Sequence, residues 1–124
     1  MARILVAEDE VAVREFIRRV LETRGHAVVA VADGAEALVK LSRDSFDLLL
    51  ADIAMPNMDG VELTLKATRD WPNLTVLLMS GIEMERRRAH GIGQLAHAIL
   101  RKPFSMVDLV QAVEAALEIA ADAD

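Results

Sequence analysis

The fold can be worked out from one stretch of sequence, Asp47-Leu48-Leu49-Leu50-Ala51-Asp52. Its apolar run is continuous rather than alternating, which is typical of a strand that is buried on both faces of a parallel sheet. We therefore predict a central strand over Asp47–Ala51, with an acidic residue directly at its carboxyl end.

Further short apolar runs flank this segment, and patterns typical of helices separate them. The predicted strands are Arg3–Ala7, Ala27–Ala32, Asp47–Ala51, Leu74–Met79 and Ala96–Leu100. The predicted helices are Val11–Arg24, a helix from Asp33 to about Arg43, Gly60–Trp71, Glu83–His90, and a last helix from Ser105 to about Ala120. Alternation with right-handed crossovers predicts an α/β fold, a doubly wound five-stranded parallel sheet with five helices.

Local signals fix the ends of several of these helices. Gly25 follows the first helix at a position where glycine is favoured. Asp33 with Glu36, and Ser105 with Asp108, have the spacing of a capping box. These signals support the predicted starts of the second and last helices.

Composition limits the classes of protein to which the chain can belong. Its 124 residues suffice for one domain, and 53% of them are apolar, too many for a disordered chain. No run of about 18 apolar residues is present, so we expect no membrane span. The N-terminus turns acidic at Glu8 before an apolar signal region could form, so we expect no signal peptide. With a net charge of −6 and 3% aromatic residues, binding to nucleic acid is not expected. The absence of cysteine is compatible with a cytoplasmic location.

Polar and charged side chains stand at the carboxyl ends of four of the five predicted strands. These residues are Glu8-Asp9, Asp52, Ser80 and Lys102. In a doubly wound sheet, ligands bind in the crevice outside these ends. Each residue alone has an ordinary explanation, such as an acidic loop in solvent, a strand-terminal hydroxyl or a lysine that lies along the surface. Their shared location favours a functional site.

The chemistry of these groups points to a metal ion and a phosphoryl group. Clustered carboxylates raise each other's pKa unless a cation joins them, and Mg²⁺ prefers oxygen ligands. Glu8, Asp9 and Asp52, with one backbone carbonyl, would suit Mg²⁺. Asp52 can also act as a nucleophile that forms an aspartyl phosphate. Lys102 and the Ser80 hydroxyl, or nearby backbone N–H groups, would then neutralise the phosphoryl oxygens together with the metal.

Four motifs resemble those of response-regulator receiver domains, the CheY-like family of two-component signalling. They are Glu8-Asp9, Asp52-Ile-Ala-Met-Pro-Asn-Met-Asp-Gly60, Ser80-Gly81 and Lys102-Pro103-Phe104. The resemblance covers essentially the whole chain. It implies a flavodoxin-like (βα)5 fold in a single receiver domain over residues 1–124.

The resemblance also implies a role for each site residue. Asp52 would be the phosphoacceptor, Ser80 the switch hydroxyl and Lys102 the phosphate-binding cation, and the peptide bond before Pro103 is often cis in the family. Mg²⁺ would be bound by Glu8, Asp9, Asp52 and the backbone carbonyl of Ala54. A histidine kinase or histidine phosphotransferase would be the phosphodonor. The chain would be no enzyme beyond slow self-phosphorylation and self-dephosphorylation.

One position departs from the family pattern. An aromatic residue usually precedes the lysine by three positions, whereas this chain has Ile99, so no ring can follow the switch hydroxyl inward. We expect the coupling to run through Ile82–Leu95, where Gly91 and Gly93 weaken the predicted helix, and this segment to change order on phosphorylation. Arg86-Arg87-Arg88 within it is either a solvated helix face or a docking patch.

We expect no output domain, and therefore a stand-alone switch that acts on an unidentified output protein through its surface. Arg3–Asp9 and Leu48–Ile53 are also similar to a single-domain cell-cycle regulator of alphaproteobacteria that serves as a protease adaptor. One alternative is a degenerate receiver that acts as a constitutive interaction module. Another is a phosphatase of the haloacid dehalogenase type, which would need a second acid where this chain has Ala54.

Overall fold

The structure is a computed structural model that describes residues 1–81 and 96–122. Its strands are β1 (Arg3–Ala7), β2 (Ala27–Val31), β3 (Leu48–Asp52), β4 (Thr75–Ser80) and β5 (Ala98–Arg101). The helices within the described residues are α1 (Val11–Thr23), α2 (Gly34–Arg43), α3 (Gly60–Asp70) and α4 (Met106–Asp122). The helix predicted over Glu83–His90, and the segment Ile82–Leu95 that contains it, lie outside the described residues.

The five strands form one parallel sheet in the order β2-β1-β3-β4-β5. The predicted doubly wound fold is therefore confirmed. The chain order reverses between β1 and β3, which pair directly through Ala7 and Ala51 at their carboxyl ends. This is the switch point at which α/β sheets of this kind open a crevice for ligands.

The central strand β3 packs against a hydrophobic core on each face of the sheet. Leu48 and Leu50 belong to the core on one side, and Leu49 and Ala51 to the core on the other. All four side chains are fully buried, as the continuous apolar run predicts. The first core includes side chains of α1 and α4, and the second includes side chains of α2 and α3.

The predicted bounds of β1 are confirmed, whereas those of the other four strands are wrong by one or two residues at one or both ends. The last three strands of the sheet, β3, β4 and β5, each begin and end one or two residues later than predicted. Asp47 directly precedes β3. Its carboxylate accepts a hydrogen bond from the N–H of Arg3 at 2.8 Å, and its own N–H donates to the carbonyl of Arg3 at 2.8 Å. At the other end Asp52 is still paired with Met79. The strand β2 ends at Val31 rather than at Ala32.

The helix ends follow the capping signals closely. Asp33 and Ser105 act as the predicted caps, because their side chains accept hydrogen bonds from the N–H groups of Glu36 at 2.9 Å and Asp108 at 3.0 Å. Gly25 follows α1 with a φ of 87°, which favours glycine. The helices α1 and α3 end one residue earlier than predicted, and α4 extends two residues beyond the predicted end at Ala120. In the described ranges, no helix has the length and apolar character of a membrane span.

Candidate functional site

The hydrogen bonds of the sheet continue one residue beyond the ends of β1 and β5. They thereby position the first site residue after each of these strands. The N–H of Glu8, directly after β1, donates to the carbonyl of Val31 at 3.0 Å. The N–H of Lys102, directly after β5, donates to the carbonyl of Ser80 at 2.8 Å. The predicted site residues at the ends of β1, β3, β4 and β5 therefore lie along one edge of the sheet.

Lys102 joins two buried acids across this edge. Its Nζ atom lies 2.6 Å from Oε1 of Glu8 and 2.7 Å from Oδ2 of Asp52. The side chain of Glu8 is fully buried, and that of Asp52 is 6% exposed. Two carboxylates and one ammonium group leave this cluster one negative charge in excess. The peptide bond between Lys102 and Pro103 is cis.

Burial and the neighbouring charges shift the ionisation of this cluster. Removal from water raises the pKa of Glu8 to about 8, and the adjacent Asp52 carboxyl adds to this increase, while Lys102 opposes it. For Lys102, burial acts to lower the pKa. Its hydrogen bonds to Asp52 and Glu8 outweigh this effect, so the pKa of Lys102 is raised. A proton is therefore held within the cluster unless another cation replaces it.

The acidic cluster has the size of a site for a small divalent cation. Glu8, Asp9 and Asp52 each place one carboxylate oxygen within 4.8 Å of the others. Oxygens about 2.1 Å from Mg²⁺ lie about 3–4 Å apart in octahedral geometry, so the three acids fit this ion with little movement. Glu8 Oε2 is also buried without a hydrogen-bond partner among the described residues. An unsatisfied buried oxygen beside an exposed Asp9 suits a cation ligand.

Ala54 and Ser80 lie beside this cluster. The backbone N–H of Ala54 donates to Oδ1 of Asp52 at 3.3 Å, and Ala54 itself is exposed to solvent. Ser80 is fully buried at the end of β4. Ile99, where the family usually has an aromatic residue, is half-buried and packs against the core that contains Leu78.

Gly60 permits a close approach that the sequence did not reveal. Among the described residues Gly25 is the glycine with positive φ, so Gly60 is not required for a left-handed turn. A Cβ atom on Gly60 would instead lie 2.5 Å from the carbonyl oxygen of Asp52. The start of α3 therefore packs directly on the backbone that carries the central carboxylate.

Two further contacts of the site have no signal in the sequence. The guanidinium of Arg14, on α1, donates to the backbone carbonyl of Glu8 at 2.8 Å and holds this residue from outside the strand ends. The second contact is the pairing of Glu8 with Lys102, which are 94 positions apart. Sequence patterns place both residues at the same edge, but only the packed structure shows that their charges meet.

Comparison with known proteins identifies the family. Residues 4–114 match the response regulator receiver domain, and the chain belongs to this family. The response regulator receiver protein CpdR of Brucella abortus is 38% identical over 114 residues, which are 92% of this chain and 95% of CpdR. The response regulator MprA of Mycobacterium leprae is 35% identical over 115 residues, and the chain spans 50% of its length. A CheY-like receiver domain protein of Methanospirillum hungatei has a TM-score of 0.91 and 28% identity, with 100% of this chain and 99% of that one covered.

The general properties of this family bear on the acidic cluster at the edge of the sheet. Receiver domains are signalling domains of two-component systems rather than classical enzymes. Histidine kinases phosphorylate them, they bind Mg²⁺ at an acidic site, and they act on output partners.

Proposed function

We propose that this chain is a cytoplasmic response regulator that accepts a phosphoryl group on Asp52, with Mg²⁺ bound beside it. The observation that carries the proposal is the position of Lys102, whose ammonium group lies 2.7 Å from Asp52 at an edge shared with two further acids. A nucleophilic carboxylate, a cation for the transferred group and ligands for a metal are the parts that phosphoryl transfer requires.

Asp52 performs the covalent step in this proposal. One of its carboxylate oxygens forms the new bond to phosphorus, while the bond from phosphorus to the donor breaks and its electron pair leaves with the donor. Glu8, Asp9, Asp52 and the Ala54 carbonyl would hold Mg²⁺, which offsets negative charge on the phosphoryl oxygens when bound.

Lys102 and Ser80 would contact the transferred group. The ammonium group of Lys102 exchanges its contact with Asp52 for one to a phosphoryl oxygen, and the Ser80 hydroxyl donates to another. This exchange requires little motion, because Lys102 already lies against the acceptor. The fixed N–H groups of the backbone beside Asp52 assist in the same way.

The phosphodonor in this proposal is a histidine kinase or a histidine phosphotransferase, and the output is a protein-protein contact. CpdR is matched over 95% of its length, and we propose that residues 1–124 of this chain likewise form one receiver domain. Control of the cell cycle through a protease adaptor is the more specific form of the proposal. It rests on the resemblance of Arg3–Asp9 and Leu48–Ile53 to such a regulator.

Incubation with acetyl phosphate and Mg²⁺ tests this function against its alternatives. We expect a covalent phosphoryl adduct that forms only with the metal and that decays slowly. Steady release of phosphate from a range of phosphate esters would instead indicate a phosphatase. Absence of both, in a chain that is folded, would indicate a degenerate receiver that acts as a constitutive interaction module.

A further inference from the structure

The loop that joins β3 to α3, residues 53–59, carries the Ala54 carbonyl that the proposed function assigns to Mg²⁺. Ile53 is buried, and Met55 and Met58 pack against the hydrophobic core, whereas Ala54, Pro56 and Asn57 are exposed. A backbone hydrogen bond from the N–H of Gly60 to the carbonyl of Ile53, at 2.9 Å, closes its ends. The exposed residues of the loop are therefore held by the packing of their neighbours together with a few polar contacts.

One of these contacts joins the loop to the start of α2. The side-chain amide of Asn57 donates to Oδ2 of Asp33 at 3.0 Å, and Oδ1 of the same carboxylate accepts the N–H of Glu36 at 2.9 Å. The Glu36 N–H and, second to it, the Asn57 amide hold the pKa of Asp33 below its usual value. Asp33 is therefore ionised near neutral pH and uses both oxygens to connect the loop with the helix.

The backbone of the loop supports the same connection. Asn57 has a φ of 67°, a left-handed conformation that costs least for glycine. A glycine at this position would be less strained, but it would lack the amide that contacts Asp33. Gly34, the first residue of α2, lies so close to the loop that a Cβ atom there would be 2.8 Å from the carbonyl oxygen of Met58. The loop thus rests on α2 at two consecutive residues.

We propose that Asp33 and Asn57 are a pair of positioning residues that hold the 53–59 loop against α2 and so fix the Ala54 backbone beside Asp52. The inference rests on the proposed function, in which the Ala54 carbonyl is a ligand of Mg²⁺. Neither side chain contacts the reacting atoms, and both act through the Ala54 backbone, whose N–H lies 3.3 Å from Oδ1 of Asp52.

Nitrogen-15 NMR of the whole chain, without metal and during a titration with Mg²⁺, tests this role. The variant Asn57→Gly keeps the left-handed backbone and removes only the amide. We expect its Ala54 amide resonance to shift or broaden without metal. Its affinity for Mg²⁺ should fall about three- to tenfold, the factor typical of one lost hydrogen bond.

A double variant in which the side chains of Asp33 and Asn57 are exchanged distinguishes a positioning role from a general loss of structure. Asn57→Asp places a carboxylate against Asp33, and we expect it to perturb Ala54 at least as much. The double variant Asp33→Asn with Asn57→Asp exchanges donor and acceptor, keeps the net charge and leaves a residue that still caps α2. We expect it to restore both the Ala54 resonance and the affinity for Mg²⁺.

An unchanged Ala54 resonance and an unchanged affinity in Asn57→Gly would overturn the inference, and so would failure of the double variant to rescue. The Ala54 amide is observed without metal as well. A wild-type chain that does not respond to Mg²⁺ would therefore refute the proposed function, while the metal-free spectra would still decide whether Asp33 and Asn57 position the loop.

Discussion

Nζ of Lys102 lies 2.6 Å from Oε1 of Glu8, a carboxyl group that is fully buried. Lys102 follows β5 and Glu8 follows β1, and in the sheet order β3 and β4 separate these two strands. The lysine therefore reaches across the carboxyl ends of the sheet, and on its way it also contacts Asp52. The positive charge of Lys102 therefore stabilises the two buried acids, and in the proposed function the same charge contacts the phosphoryl group.

Removal of the ammonium group should destabilise the chain in the absence of metal. We expect Lys102→Met to lower the free energy of unfolding by about 2–4 kcal/mol at pH 8, because two buried acids lose their counter-charge. The loss should be smaller at pH 6, where a proton can replace the ammonium. Lys66→Met is the matched control, since Lys66 forms an exposed pair with Glu62 at 3.4 Å. Equal effects of the two substitutions in denaturant titrations would contradict the coupling described for the buried cluster.

The raised pKa of Glu8 predicts how the stability of the metal-free chain depends on pH. Its pKa is about 8 in the folded chain against an ordinary value of 4.5, so the folded state holds this proton more tightly than the unfolded state. The associated stability is present below pH 4.5 and is lost as the pH rises towards about 8. Each pKa unit of difference corresponds to about 1.4 kcal/mol. We expect Glu8→Gln to flatten this decline in unfolding curves between pH 5 and 8, and a parallel decline in the variant would contradict the assignment.

Asp9 should matter for the metal but not for the fold. It is exposed, and it contributes one of the three clustered oxygens. We expect Asp9→Ala to weaken Mg²⁺ binding by about tenfold or more and to leave the unfolding free energy unchanged or slightly higher, because a repelling charge is removed. Glu10→Ala is the control, since Glu10 is an exposed neighbour outside the cluster. If both variants bind Mg²⁺ equally well in a calorimetric titration, Asp9 is not a ligand.

Gly60 should tolerate no side chain. We expect Gly60→Ala to lower the unfolding free energy by about 1–3 kcal/mol, because its Cβ would meet the Asp52 carbonyl oxygen at 2.5 Å. Gly81→Ala provides the comparison, since a Cβ there would meet Lys102 Cβ at an ordinary 4.0 Å, and we expect a change of no more than about 0.5 kcal/mol. Chemical denaturation measures both, and a Gly60→Ala variant as stable as Gly81→Ala would contradict the close packing of α3 on Asp52.

The pattern of the sequence predicted the order of the elements and the sheet, because local signals determine these features. The run Leu48–Ala51 indicates burial on both faces, and the caps at Asp33 and Ser105 depend on residues three positions away. Strand ends were less predictable. They depend on partners in other strands, as at the end of β3, where Asp52 is still paired with Met79 of β4.

The same distinction holds at the site. The positions of Glu8, Asp52 and Lys102 at strand ends follow from the sequence, since parallel strands end at a common edge. Their pairing and burial do not follow, because they result from how several elements pack together. The hydrogen bond between Asn57 and Asp33 is a further example, because it joins two loops 24 positions apart.

The most direct test of the central claim is the mass of the intact chain, wild-type and Asp52→Asn, after incubation with acetyl phosphate and Mg²⁺. An amide is a poor nucleophile, so we expect one added phosphoryl group on the wild-type chain, mapped to the peptide that contains Asp52, and none on the variant. Both chains should remain folded, because the substitution leaves Glu8 and Lys102 as a neutral pair. The same mass increase on Asp52→Asn, or a phosphoryl group mapped to another residue of the wild-type chain, would contradict the role proposed for Asp52.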